Sequence, residues 1–195
     1  MNTVPKTPSC IVVIGASWGG IQALRTLLTQ LRSPFCFAVV IVIHQDRQRA
    51  SQLPQLLNDT AAFRVVEAAD KEPIVAGNVY ISTPNYHLLV EQDGTLSHTI
   101  DKPVNYCRPS VDVLFQTAAD AFGDRVVAVV LTGANHDGAA GAQRVKQRGG
   151  KVFVQNPKEA EAKAMPLATI RDTEVDFIGS LEAIIDKLNG IGQHV

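Results

Sequence analysis

The chain has three cysteines among its 195 residues, and none of them stands in C-x-x-C spacing. That leaves no disulfide framework and no structural zinc site, so Cys10, Cys36 and Cys107 read as reduced thiols of a cytoplasmic protein. Charge of one sign is also scarce. The formal net charge is −1, which gives no general electrostatic draw toward nucleic acid or an anionic membrane. No apolar run approaches the ~20 residues of a spanning helix, and MNTVPKTPSC lacks the charged and apolar blocks of a signal peptide. Membrane insertion is therefore not expected. Internal repeats and low-complexity tracts are missing too. What is present is 46% hydrophobic and 19% charged residues, ordinary for one folded domain that buries its own core.

Three short, continuously apolar, β-branched runs organise the sequence: Ile11–Ile14, Phe37–Ile43 and Val126–Leu131. Their length and lack of alternation fit strands of a parallel sheet buried on both faces. Helical spacing follows the first run at Ile21, Leu24, Leu27, Leu28 and Leu31, and Pro34 closes that segment. Further helices are expected at 51–58, from Ser110 to Phe122, from about Gly138 to Arg148, and near Ser180–Leu188. Shorter strand pieces fall at 65–66, Val79–Ile81 and Val152–Val154. Tyr86–Val90 and Thr95–His98 flank an Asp-Gly turn signal and read as a hairpin. The pattern predicts an α/β, doubly wound, mostly parallel sheet with helices on both faces and a small β-hairpin insertion. Residues 1–10 form a flexible lead-in, and 11–190 form one catalytic-type domain.

In such sheets ligands bind beyond the carboxyl ends of the strands, where strand order reverses. Ser17 follows the first apolar run, His44 the second and Asp137 the third. A hydroxyl, an imidazole and a carboxylate are the parts of a hydrolytic triad, because serine needs a base and the base needs an orienting acid. Each residue also has a plainer reading. Ser17 and Asp137 could cap the helices that follow them, and His44 could bond a backbone carbonyl. Among competing groups, His87 and His98 belong to the hairpin and His194 to the tail. His136 adjoins Asp137 and belongs to the rim of the site, while Asp46 lies too close to His44 in sequence to orient its ring.

Gly15-Ala16-Ser17-Trp18-Gly19 matches G-x-S-x-G, but other loops with similar spacing do not fit. A dinucleotide loop would have glycine at 17 and an acid near the end of the second strand, where His44 stands. A Walker loop would have Lys after Gly20, which is followed by Ile21. An α/β-hydrolase orders its triad Ser, Asp, His, and here the order is Ser, His, Asp.

The residues resemble the catalytic domain of CheB-type chemotaxis protein-glutamate methylesterases. The matching stretches are VVIGASWGG (12–20), His44, GNVYISTPNYHLLV (77–90), YCRPSVDVLFQTAA (106–119), VVLTGANHDGAAG (129–141) and VQNPKEAEAKAMP (154–166). The resemblance implies a triad of Ser17, His44 and Asp137 that works without metal or other cofactor. It implies hydrolysis of γ-glutamyl methyl esters on chemoreceptors or similar signalling proteins, with glutamine deamidation as a second activity. Candidate oxyanion donors are the backbone N–H groups of Trp18 and Ala134. Arg108 and His136 are candidate substrate contacts.

Two departures qualify the resemblance. Trp18 stands where the family often has a small residue or threonine, and Ala134 where methionine is common. The familiar enzyme also carries a receiver domain ahead of the catalytic one, whereas this sequence begins almost on its first strand. Control is then expected from a partner such as a separate regulatory protein, or from expression, or to be absent. A non-catalytic binding module with a CheB-like cleft is the alternative reading, and a small-molecule esterase or amidase a third.

Overall fold

The computed structural model describes residues 8–45, 52–59, 61 and 63–191. Most of the lead-in, Asp46, the first residue of the 51–58 helix and His194 lie outside the described residues. In chain order the elements are β1 (Ile11–Ala16), α1 (Gly20–Gln30), β2 (Ala38–Ile43), α2 (Leu53–Asn58), β3 (Val65–Glu67), β4 (Val79–Ile81), β5 (His87–Val90), β6 (Leu96–Thr99) and α3 (Val111–Phe122). They continue with β7 (Val126–Val130), α4 (Ala139–Gln147), β8 (Lys151–Gln155), α5 (Ala164–Asp172), β9 (Phe177–Gly179) and α6 (Leu181–Ile191). None of the described helices is long and apolar enough to cross a membrane.

Seven strands form one parallel sheet in the order β3-β4-β2-β1-β7-β8-β9. The antiparallel pair β5-β6 stands apart as the hairpin anticipated from its Asp-Gly turn. Every residue of β1, β2 and β7 is buried, as continuous apolar runs covered on both faces must be. Side chains alternate across the sheet. Ile11, Val13, Val40 and Val130 join one core cluster with residues of α3, α4 and the hairpin. Val12, Ile14, Ile41 and Val129 join the other, with Leu24, Leu27 and Leu28 of α1 and Ile184, Ile185 and Leu188 of α6. The fold is thus doubly wound.

From β1 the chain moves outward to β2 on one side, and β7 later fills the place on the other side. The reversal point lies between β1 and β7, with β2 adjacent. These are the three strands whose ends carry Ser17, His44 and Thr132–Asp137.

Two elements add to the sequence reading. Helix α5 was not anticipated because its buried positions, Met165, Pro166, Ala168 and Thr169, include a proline and lack a strong apolar stripe. Strand β9 has three residues, two of them half-buried and one exposed, and so no alternation to detect.

Candidate active site

Backbone register alone brings Ser17 and His44 to one level. β1 and β2 pair up to Ala16 opposite Ile43, and the His44 N–H then donates to the Ala16 carbonyl at 3.2 Å. On the other side the Ser17 N–H donates to the Thr132 carbonyl at 2.9 Å. Neighbouring strands lie about 4.8 Å apart, so the residues just past β1 and β2 are side by side.

Two glycines make this packing possible. Gly19 adopts φ +76°, and a Cβ there would stand 2.6 Å from a carboxylate oxygen of Glu161. A Cβ on Gly133 would meet the Met165 sulfur at 1.9 Å and the Ser17 Cβ at 3.0 Å. The Thr132–Gly133 turn therefore presses against the Ser17 loop because position 133 has no side chain.

His44 Nε2 lies 2.8 Å from Asp137 Oδ2. Asp137 is fully buried and seated on the amino terminus of α3. The Val111 N–H donates to Oδ2 at 2.6 Å, the Asp112 N–H to Oδ1 at 3.1 Å and the Ser110 hydroxyl to Oδ1 at 2.7 Å. A helix amino terminus offers unpaired N–H groups and a positive dipole end, which suit a carboxylate. Burial alone would raise the Asp137 pKa, but the hydrogen bonds and charge of His44 and these donors hold it below the usual range. The ionised carboxylate only accepts, so Nε2 carries a hydrogen in either protonation state, and in the neutral ring Nδ1 carries the lone pair.

The surroundings of Nδ1 were not foreseen. Asn135 Nδ2 stands 3.0 Å from it and Cys107 Sγ 4.0 Å. The Asp137 N–H donates to Asn135 Oδ1 at 3.1 Å, which fixes the amide so that its NH2 faces His44 and Cys107. That NH2 is 3.3 Å from Cys107 Sγ. Burial opposes a charge on His44, yet hydrogen bonds and charge from Asp137 and Cys107 raise its pKa to about 9. The Asn135 amide works in the other direction, since it offers Nδ1 a hydrogen rather than a lone pair.

A second acid braces the loop. Asp112 accepts the N–H groups of Gly138 at 2.9 Å and Gly141 at 2.7 Å, and Asn105 Nδ2 at 2.8 Å. Its burial, together with the nearby Asp137 charge and against those N–H donors, pushes its pKa up to about 6. His44, Gln45, Tyr106, Cys107, Arg108 and Pro109 line a crevice of about 120 Å³. A larger cavity of about 920 Å³ lies at the opposite edge, beside the first residues of β7 and β8, and holds none of these groups.

The family model for CheB methylesterase matches residues 12–188. This chain belongs to the CheB methylesterase family. A Leptospira interrogans protein provisionally named a protein-glutamate methylesterase/protein-glutamine glutaminase is 43% identical over 183 residues, covering 94% of this chain and 95% of that one. A Syntrophus aciditrophicus protein named protein-glutamate methylesterase/protein-glutamine glutaminase 2 is 31% identical over 191 residues, covering 96% of this chain and 55% of its own length. The crystal structure of the Thermotoga maritima CheB methylesterase catalytic domain superimposes with TM-score 0.89 at 31% identity, over 93% of this chain and 98% of that one.

Within this CheB-family chain, His44 and Asp137 are in direct contact. Ser17 stands at the end of the neighbouring strand, while the other face of the imidazole meets Asn135 and Cys107. The capping alternatives do not hold: Gly19 and Gly138 are the N-caps of α1 and α4, with no side-chain cap on either. Trp18 and Ala134 are exposed. Arg108 directs Nε and Nη2 to Asn85 Oδ1 at 3.2 and 2.8 Å, and Nη1 to the carbonyls of Ile100 and Asp101 at 2.7 and 3.1 Å. It thereby ties the crevice wall to the hairpin. His136 is exposed on a different groove, with Lys163, Leu167 and Arg171.

Sequence reasoning missed Asn135 and the position of Cys107. It started the helix at Ser110, which the structure makes the N-cap of α3, its Oγ accepting the Val113 N–H at 3.5 Å. The second task of that hydroxyl, donation to Asp137, had no sequence signal.

Proposed function

We propose that this CheB-family chain hydrolyses γ-glutamyl methyl esters on chemoreceptor-type proteins with Ser17 as nucleophile, His44 as base and Asp137 as orienting acid, residues 11–190 acting as one catalytic domain. The observation that carries the reading is the His44–Asp137 contact at 2.8 Å, one strand away from Ser17. The buried carboxylate holds Nε2–H, so the proton of Ser17 Oγ goes to Nδ1. To reach it, Ser17 displaces or shares the Asn135 amide at that lone pair. Oγ attacks the ester carbon, and the carbonyl oxygen becomes an oxyanion. Among the described residues neither the Trp18 nor the Ala134 N–H donates to a backbone carbonyl, whereas their neighbours Ser17 and Gly133 do. Those two free donors suit the developing charge, each worth about 3 kcal/mol. Nδ1–H then protonates departing methoxide, and water repeats the sequence on the glutamyl-enzyme. A glutamine side chain offers the same acyl carbon with ammonia as the leaving group, in keeping with the double name of the relatives.

Trp18 is 66% exposed and Tyr106 95% exposed beside the site. A receptor segment, or a separate regulatory protein, would find an apolar rim there. The test is methanol release from a methylated chemoreceptor fragment. Wild type is expected to release it and Ser17→Ala to fall by about six orders of magnitude. Release by Ser17→Ala at the wild-type rate would remove Ser17 from the mechanism.

A further inference from the structure

We propose that Cys107 and His44 form a binding site for a soft divalent cation such as zinc, plugged in the free protein by the Asn135 amide. Metal-binding histidines commonly donate their second ring N–H to a carboxylate, which fixes the tautomer and raises the basicity of the ligating nitrogen. His44 is held in that way by Asp137, with Nδ1 turned outward. Cys107 Sγ is 4.0 Å from Nδ1. Zinc bonds of about 2.3 Å to sulfur and 2.0–2.1 Å to nitrogen, at a tetrahedral angle, place those two atoms about 3.6 Å apart. A small shift of the 105–108 loop closes the difference. The ligand atoms of His44, Cys107 and Asp137 all lie within 4.8 Å of one another.

The position of Asn135 supplies an independent reason. Its NH2 stands 3.0 Å from Nδ1 and 3.3 Å from Sγ, so nitrogen and sulfur converge on one electropositive group. A cation is the other species that satisfies both at once. Cys107 is half-buried in the crevice wall, which leaves room for water as the remaining ligands. On binding, the thiol loses its proton and its contact with the Asn105 carbonyl at 3.4 Å, and Asn135 swings out. This is a site made by two separate elements, unlike the C-x-x-C type that the sequence excludes.

Occupied, the site removes the lone pair that the esterase mechanism assigns to Ser17, so zinc inhibits. That consequence rests on the proposed triad, whereas binding itself does not. The experiment adds cobalt(II) or zinc to the purified full chain. Cobalt is expected to give a thiolate-to-metal charge-transfer band in the near ultraviolet. Cys107→Ser abolishes the band, although Cys10 and Cys36 remain, and weakens zinc affinity by at least about tenfold. Asn135→Ala acts in the opposite direction and tightens binding. A band of equal strength in wild type and Cys107→Ser, or no band in wild type or Asn135→Ala, overturns the proposal. The expected band without zinc inhibition of methanol release supports the site and counts instead against Nδ1 as the base.

Discussion

The two sides of the His44 ring are built differently. Behind it, Asp137 is fully buried and receives two backbone N–H groups, a hydroxyl and the imidazole, with Asp112 bracing the same loop. In front of it stand a thiol and an amide, with exposed Tyr106 lining the same crevice and Trp18 and Ala134 exposed next to Ser17 and Asn135 in sequence. The rear is over-determined, so that acid–base geometry exists before substrate arrives. The front is open, and the substrate itself must complete it. On the proposed mechanism, chemistry and specificity therefore reside in separate parts of one small site.

The contrast breaks most severely at Asp137. Asp137→Asn leaves an amide in the carboxylate pocket and is expected to lower kcat by about four orders of magnitude, measured as methanol release. Its pH profile sharpens the point. The proposed mechanism needs a neutral Nδ1, and Asp137 helps to raise the His44 pKa to about 9, so wild-type kcat/KM is expected to climb as pH rises through about 9. In the variant the raising contributions of Asp137 are lost while burial remains, so the rising limb moves to lower pH. Because the folded His44 pKa is raised, the pair's contribution to stability is complete below pH 6.5 and fades as pH rises through about 9.

Ser110→Ala removes one donor from the buried carboxylate. A hydrogen bond to a charged group is worth about 1.5–3 kcal/mol, so chemical denaturation should show a loss in that range, with weaker catalysis because Asp137 is less firmly held. Activity and stability unchanged in this variant would show that the rear is not over-determined. The smallest effect is expected at Trp18. Trp18→Ala should raise KM for a receptor fragment several-fold while leaving kcat and denaturation midpoint close to wild type, since the ring is 66% exposed. A drop in kcat alone would move Trp18 from the specificity side to the chemical side.

The rear and the sheet were far more legible in the sequence than the front. β1, β2 and β7 announce themselves as apolar runs because they are covered on both faces, and their last residues point to Ser17, His44 and Asp137. The start of α3 at Ser110 was legible because helical spacing and first-turn preferences are local in sequence. What Ser110 and Asp112 do for Asp137 was not, because it depends on α3 crossing toward the end of β7. Asn135 and Cys107 meet His44 through two loops whose paths have no periodic signature. Helix α5 and strand β9 were missed for the related reason that short, weakly patterned elements take their structure from neighbours.

The strand order has a consequence for how the protein comes into being. β1 sits beside β7, with Ile11 opposite Val126, so the central strand lacks one neighbour until more than half of the chain has been synthesised. Asp137 follows that late strand. Ser17 and His44 therefore leave the ribosome long before Asp137 is made, and on the proposed triad an incomplete chain would carry no working esterase. Non-local pairing of this kind also slows folding, since distant segments must be brought together before their contacts reward the closure. The interval leaves the bare apolar edge of β1 as the surface that a chaperone would have to cover.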